Sequence, residues 1–93
     1  MTEKVSAYLK ISGRVQGVFF RAETKKAADQ LGVCGWVCNR KDKTVEAVFQ
    51  GGKKDVEAAI KWCYTGSPHA RVSNVDVRWE EEGAEFREFD IRY

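Results

Sequence analysis

The order of seven periodic segments in this chain of 93 residues constrains the fold more than any other feature of the sequence. Residues 5–12 alternate between apolar and polar side chains, which is typical of a strand with one buried face. Residues 22–31 contain strong helix formers, and Gly32 follows them as a stop signal. A strand and then a helix are therefore predicted at the start of the chain.

Later segments repeat the same two patterns. Further strands are predicted at residues 35–39, 44–50, 75–80 and 89–93. The first two of these surround a short polar tract and predict a hairpin. Residues 53–64 place apolar side chains at helical spacing, and the acidic residues 80–82 with Gly83 predict a solvated turn.

Two strand–helix–strand halves in one short chain are typical of the split βαβ plan. We therefore predict a single α+β domain over residues 1–93 with the ferredoxin-like fold, a βαββαβ sandwich in which an antiparallel sheet carries two helices on one face. A chain of this length buries roughly 60–65% of its unfolded surface, which is enough for one core without a metal or disulfides.

Charge and composition leave the class of partner open. Sixteen Lys and Arg against fourteen Asp and Glu give a net charge of +2, which neither demands nor excludes nucleic acid. No stretch approaches the roughly 18–20 apolar residues of a membrane span, and the first residues lack the layout of a secretory signal. We expect a cytoplasmic protein with reduced thiols at Cys34, Cys38 and Cys63, whose spacing does not suit zinc.

The loop between the first strand and the first helix is the most informative stretch. It reads Gly13-Arg14-Val15-Gln16-Gly17-Val18-Phe19-Phe20-Arg21. Successive backbone N–H groups in such a loop can form an anion cradle, and the helix start adds unpaired donors. Arg21 would offer a planar fork of donors to a phosphate or carboxylate. The alternative is a plain connector with a solvated arginine, because a Gly-x3-Gly spacing is a weak motif.

Two other polar residues are candidates for chemistry. Asn39 ends a predicted strand, where its amide could hold a water by two hydrogen bonds or simply make a turn. His69 is the only histidine, and no Ser, Cys or carboxylate is arranged around it in the sequence. We therefore predict no catalytic role for His69.

These stretches resemble the signatures of the acylphosphatases along essentially the whole chain. The first signature is matched by Ile11-Ser12-Gly13-Arg14-Val15-Gln16-Gly17-Val18-Phe19-Phe20-Arg21. The second is matched by Gly35-Trp36-Val37-Cys38-Asn39, followed by Val45 and Gly51. Later landmarks are matched by Gly66-Ser67-Pro68 and Phe89-Asp90-Ile91. The resemblance implies a single acylphosphatase-like domain with the ferredoxin-like fold, which the segment order indicates independently.

The resemblance also implies an activity and its residues. The family hydrolyses the carboxyl–phosphate bond of acyl phosphates to a carboxylate and inorganic phosphate, with no metal, cofactor or phosphoenzyme. Arg21 matches its phosphate-binding arginine, and Asn39 matches the asparagine that positions the attacking water. The amides that hold the phosphoryl oxygens are matched by Gln16, Gly17, Val18, Phe19 and Phe20. The expected partner of this monomer is a small acyl phosphate, with phosphate or sulfate as a product-like ligand and no nucleic acid or membrane.

Two positions depart from the family pattern. Lys43 stands in the hairpin where many members have glycine. A positive φ there would cost a lysine on the order of 1–2 kcal/mol, so we expect a turn of a different shape. Cys38 stands where a long polar residue is more common.

Two other functions compete with hydrolysis. One is a non-catalytic domain that binds phosphate or carbamoyl phosphate, because the family's fold also occurs as a module of larger maturation enzymes. The sequence shows no second domain, which favours a free-standing enzyme.

The second competing function is binding of single-stranded RNA. RNA-recognition domains share the strand–helix order but need more aromatic residues on the third strand than the single one in residues 44–49.

Overall fold

Five strands form one sheet in this computed structural model, which describes residues 4–80 and 85–93. The elements in chain order are β1 (Lys4–Arg14), α1 (Phe20–Leu31), β2 (Cys34–Asn39), β3 (Val45–Gly52), α2 (Lys53–Thr65), β4 (Arg71–Glu80) and β5 (Phe89–Arg92). Of the predicted acidic turn, Glu80 lies in β4, and residues 81–83 lie outside the described residues. Neither helix in the described ranges is both long and apolar enough to cross a membrane.

The strands lie side by side in the order β4-β1-β3-β2-β5. All neighbours are antiparallel except β5, which runs parallel to β2. The sheet is therefore mixed, and the prediction of a wholly antiparallel sheet is wrong for this last strand. The chain leaves β4 at one edge and adds β5 at the other, where Phe89 packs into the core with its ring 5.7 Å from that of Phe49.

Both helices cover one face of the sheet, as the sequence predicts. Alternate residues of β1 point to that face, and Ala7, Leu9 and Ile11 are fully buried. Phe20 from α1 and Trp62 from α2 pack together with ring centroids 5.6 Å apart. This arrangement confirms the ferredoxin-like plan.

The sequence predicts β4 four residues too late. The strand begins at Arg71, because the end of β1 continues to pair with it beyond a bulge between Ser12 and Gly13. Residues 71–74 lie at the sheet edge and are mostly exposed, so they carry no alternation of apolar and polar side chains. Helix α1 also begins two residues earlier than predicted, at Phe20.

The hairpin between β2 and β3 differs from the expectation for Lys43. This residue adopts a left-handed backbone with φ 71°, so the expected turn of a different shape is wrong. Its N–H donates to the Arg40 carbonyl at 3.2 Å, and the Arg40 N–H donates to the Thr44 carbonyl at 2.9 Å. The Asp42 carboxylate accepts from the Thr44 N–H at 3.1 Å. The turn thus keeps the conformation that favours glycine and secures it with hydrogen bonds.

Candidate functional site

The loop between β1 and α1 combines two left-handed residues with a run of unpaired N–H groups. Gly17 and Phe19 have left-handed φ values of 72° and 61°. A chain that places left-handed residues between right-handed ones directs successive N–H groups into one concavity. Within the described part of the chain, the N–H groups of residues 16–20 donate to no other protein group. The loop therefore leaves a run of free donors at the start of a helix.

The start of α1 adds further positive character to this loop. Phe19 is the N-cap of α1, and no side chain caps the helix there. The first N–H groups of a helix have no partner within it and carry its positive dipole end. An anion is therefore the natural ligand at this position.

Hydrogen bonds from two other parts of the fold hold the loop in place. The Gln16 side-chain amide donates to the carbonyls of Arg40 and Thr44, each at 2.8 Å. On the other side, the buried Ser67 hydroxyl donates to the Val18 carbonyl at 2.7 Å. The left-handed Phe19 is strained for a bulky residue, and this bracing fixes the loop despite that strain.

A cavity of about 340 Å³ opens beside the loop, and most of the predicted site residues line it. Gly17, Phe19 and Phe20 line it from the loop and the start of α1, together with Arg21. Asn39 lines it from the end of β2. We call it the Arg21–Asn39 cavity, because both predicted residues line it although they lie on different elements.

Arg21 presents an uncompensated positive charge to this cavity. It is half-buried in the first turn of α1, and its guanidinium lies over the Tyr93 ring, 4.7 Å from the ring centroid. Over residues 4–80 and 85–93, no carboxylate forms an ion pair with it. The ring of Tyr93, itself 99% exposed, lies beside the guanidinium without neutralising it.

Asn39 presents an unused acceptor. Its Oδ1 is buried and has no hydrogen-bond partner among the described residues. Leaving such an atom unpaired costs about 1–3 kcal/mol, so a hydrogen-bond donor that reached it would be favoured. The amide nitrogen of the same side chain can donate as well.

Not every predicted site residue lines the cavity. The Gln16 side chain braces the hairpin instead, and the Val18 side chain is buried at 6% exposure and borders a neighbouring cavity. Only their backbone N–H groups remain candidates for the cradle. His69 also borders that neighbouring cavity, away from Asn39.

Sequence reasoning missed Tyr93 as part of the site. Its position follows from the parallel pairing of β5 with β2, in which Arg92 is opposite Cys38 and the next residue falls beside Asn39. A prediction of that pairing would have placed the last residue of the chain at the cavity.

The chain's other polar groups offer little to a metal or a thiol reaction. Among the described residues, no group of three or more His, Cys, Asp and Glu side chains is placed to hold a metal ion. Burial, and then the neighbouring Glu46 carboxylate, raise the pKa of Cys38 and favour its protonated thiol.

The aromatic of the third strand, Phe49, is 1% exposed and faces the core, so it offers no stacking surface to RNA.

Comparison with known proteins identifies the family of this chain. The family model for acylphosphatase matches residues 7–91. An acylphosphatase of Roseiflexus sp. is 50% identical over 91 residues, which cover 98% of each chain. The crystal structure of an acylphosphatase from Bacillus subtilis superposes with a TM-score of 0.93 at 30% identity, over 96% of this chain and 99% of that one.

A larger protein contains the same fold as one part. Full-length HypF in its phosphate- and nucleotide-bound form aligns with a TM-score of 0.87 at 25% identity, over 100% of this chain but only 12% of that one. The curated relative, by contrast, matches over nearly the full length of both chains. With its fold, its family match and its relatives in agreement, this chain belongs to the acylphosphatase family of hydrolases.

Proposed function

We propose that the Arg21–Asn39 cavity hydrolyses acyl phosphates to a carboxylate and inorganic phosphate. The observation that carries this proposal is that Arg21 and Asn39 line one cavity, beside a loop whose N–H groups have no partner among the described residues. A cation and a set of donors suit the phosphoryl group, and a buried amide acceptor suits a water.

The loop of residues 15–19 between β1 and α1, which we call the phosphate loop, and Arg21 would bind and polarise the phosphoryl group. Its charged oxygens accept hydrogen bonds from the N–H groups of residues 16–20 and from the guanidinium. Because the bracing by Gln16 and Ser67 fixes the loop before substrate arrives, little reorganisation is needed during reaction. Such preorganised donors stabilise the charge of a phosphoryl-transfer transition state.

Asn39 would position the attacking water. Its amide would turn toward the cavity, accept a hydrogen bond from the water through Oδ1, which is unpaired in the structure, and so direct a lone pair of the water oxygen at phosphorus. As the new O–P bond forms, the bond from phosphorus to the acyl oxygen breaks and its electron pair leaves with the carboxylate. The proton of the water passes to a phosphoryl oxygen of the substrate.

The substrate's own reactivity explains why this machinery suffices. A carboxylate is a good leaving group of low pKa, so it needs no general acid. The described residues that line the cavity include no Asp, Glu or His side chain. Positioning and charge stabilisation supply the catalysis, and we propose that no metal or cofactor takes part.

Hydrolysis of benzoyl phosphate in the presence of EDTA tests the activity. We expect fast turnover by the wild-type protein and a loss of about 100-fold or more in Arg21→Ala. The matched control is Arg87→Ala, which removes an exposed arginine just before β5. In β5, Phe89 pairs with Gly35 near the start of β2, so this end of the strand lies far from Asn39. This control should retain wild-type turnover.

A non-catalytic phosphate-binding domain is the second candidate. The match to one part of HypF supports it, since that protein contains this fold as 12% of a longer chain. Background rates of benzoyl phosphate hydrolysis in the wild type, together with retained binding of inorganic phosphate, would favour this function and contradict hydrolysis.

A further inference from the structure

A second cavity adjoins the Arg21–Asn39 cavity and has a basic lining. Its volume is about 560 Å³, and it shares Gly17 and Phe19 with the first cavity. Arg14, His69 and Arg71 line it, and no acidic residue does. A molecule bound at the phosphate loop therefore lies directly beside this second, basic cavity.

Arg14 and Arg71 are placed directly opposite each other. They are register partners across the antiparallel pair of β1 and β4, just beyond the bulge at Ser12 and Gly13. A Cβ on Gly13 would lie 2.1 Å from the Arg71 carbonyl oxygen, which shows how closely the two strands approach each other there. The bulge thus fixes the backbones that carry the two arginines.

This pairing of like charges costs stability. Like charges directly opposite on neighbouring strands are destabilising, and this effect is strongest when no counter-charge lies near. Within residues 4–80 and 85–93, no carboxylate forms an ion pair with Arg14 or Arg71. An anion between the two guanidinium groups would remove the repulsion and gain planar, two-point hydrogen bonds.

We propose that Arg14 and Arg71 form a second anion subsite, which binds a carboxylate or phosphate group at the far end of the substrate's acyl part. The phosphoryl group occupies the loop, and the acyl part extends past Gly17 and Phe19 into the second cavity. The substrate class is therefore acyl phosphates with a second anionic group. This inference rests on the proposed function and narrows its substrate.

Matched substrates measure the subsite directly. Benzoyl phosphate has no second anion, whereas 3-carboxybenzoyl and 4-carboxybenzoyl phosphates carry one at two different positions. The kcat/KM of each is measured for the wild type, for the double variant Arg14→Gln/Arg71→Gln, and for the control Arg87→Gln. Comparing the preference ratio between proteins cancels the intrinsic reactivity of the substrates.

We expect the wild type to prefer at least one carboxylated substrate over benzoyl phosphate by roughly tenfold, the effect of one charge-assisted contact at a partly exposed site. The double variant should lose that preference and keep its kcat/KM for benzoyl phosphate, which also shows that it folds. Arg87→Gln should keep the preference. Each result would support the subsite.

A preference that is absent in the wild type, or unchanged in the double variant, would overturn the subsite while leaving the hydrolase intact. If benzoyl phosphate turnover then also responds non-competitively to added sulfate only when both arginines are present, the arginines bind a free anion instead. Failure of the proposed function is distinct, because the wild type would then hydrolyse none of the three.

Discussion

Two bulky residues in the described part of the chain have a left-handed backbone, and they do so for different reasons. Phe19 lies in the phosphate loop, is 76% exposed, and gains nothing from burial that would offset its strain. Strain of this kind is found where a particular backbone shape serves function, and here the shape directs N–H groups. Lys43 lies in the hairpin, away from the Arg21–Asn39 cavity. Its strain therefore acts first on the stability of the turn.

Replacing Lys43 with glycine should stabilise the protein. Glycine removes the cost of the left-handed backbone and adds some freedom to the unfolded chain, so we expect a net gain of about 0.5–1 kcal/mol in the free energy of unfolding. Urea denaturation of Lys43→Gly measures it. The control is Lys41→Gly in the same turn, where φ is not positive and glycine should instead destabilise. A loss of stability in Lys43→Gly would contradict this account of the turn.

At the scale of elements, the β2–β3 hairpin supports the site from one side. It ends β2 at Asn39, and its carbonyls at Arg40 and Thr44 accept the Gln16 side chain from the phosphate loop. The turn itself is held by Asp42, whose carboxylate accepts from Thr44 and lies 3.2 Å from the Lys10 ammonium. The shape of the hairpin thus reaches both Asn39 and the loop.

The Asp42 carboxylate makes the hairpin sensitive to acid. Hydrogen bonds from Thr44, and then the contact with Lys10, lower the pKa of Asp42 from 3.8 to about 2. The unfolded chain therefore takes up this proton at a higher pH than the folded one does. The stabilisation is complete above about pH 4 and is lost as the pH falls toward 2.

Urea midpoints measured between pH 5 and pH 2 test this dependence. We expect the wild-type midpoint to fall more steeply below pH 4 than that of Asp42→Asn, whose amide can still accept from Thr44 but does not titrate. Parallel curves for the two proteins would show that Asp42 does not carry the effect.

The sequence predicts elements well where burial imposes a period and poorly where it does not. Helix α2 is predicted within one residue, because Val56, Ala59 and Cys63 form one buried face. The first four residues of β4 are missed, since an exposed edge strand has no such constraint. The parallel position of β5 is missed as well, because its four residues specify a strand but not a neighbour.

At the scale of the whole molecule, the candidate site exists only through the order of the strands. The phosphate loop follows β1, Asn39 ends β2, and Tyr93 follows β5. Sequence spacing alone does not bring Arg21 and Asn39 together, and the resemblance to a family is what predicts their roles. The unpaired Asn39 Oδ1 and the stacking of Tyr93 on Arg21 appear only in three dimensions, because both depend on contacts between distant segments.

Arg21 and Asn39 have different roles in the proposed mechanism. In the proposed mechanism Arg21 contacts the phosphoryl group in the ground and transition states, so Arg21→Ala should weaken phosphate binding by about tenfold or more and also lose turnover. Asn39 is proposed to act on the water, so Asn39→Ala should lower kcat by about 100-fold and leave the Kd for phosphate within about twofold. Asn74→Ala, an exposed asparagine outside both cavities, should change neither quantity.

The most direct measurement pairs kcat for benzoyl phosphate with the Kd for inorganic phosphate, by calorimetry, in the wild type and these three variants. We expect phosphate affinity and turnover to fall together in Arg21→Ala, and turnover alone to fall in Asn39→Ala. Full activity in Asn39→Ala, or unchanged phosphate affinity in Arg21→Ala, would contradict it.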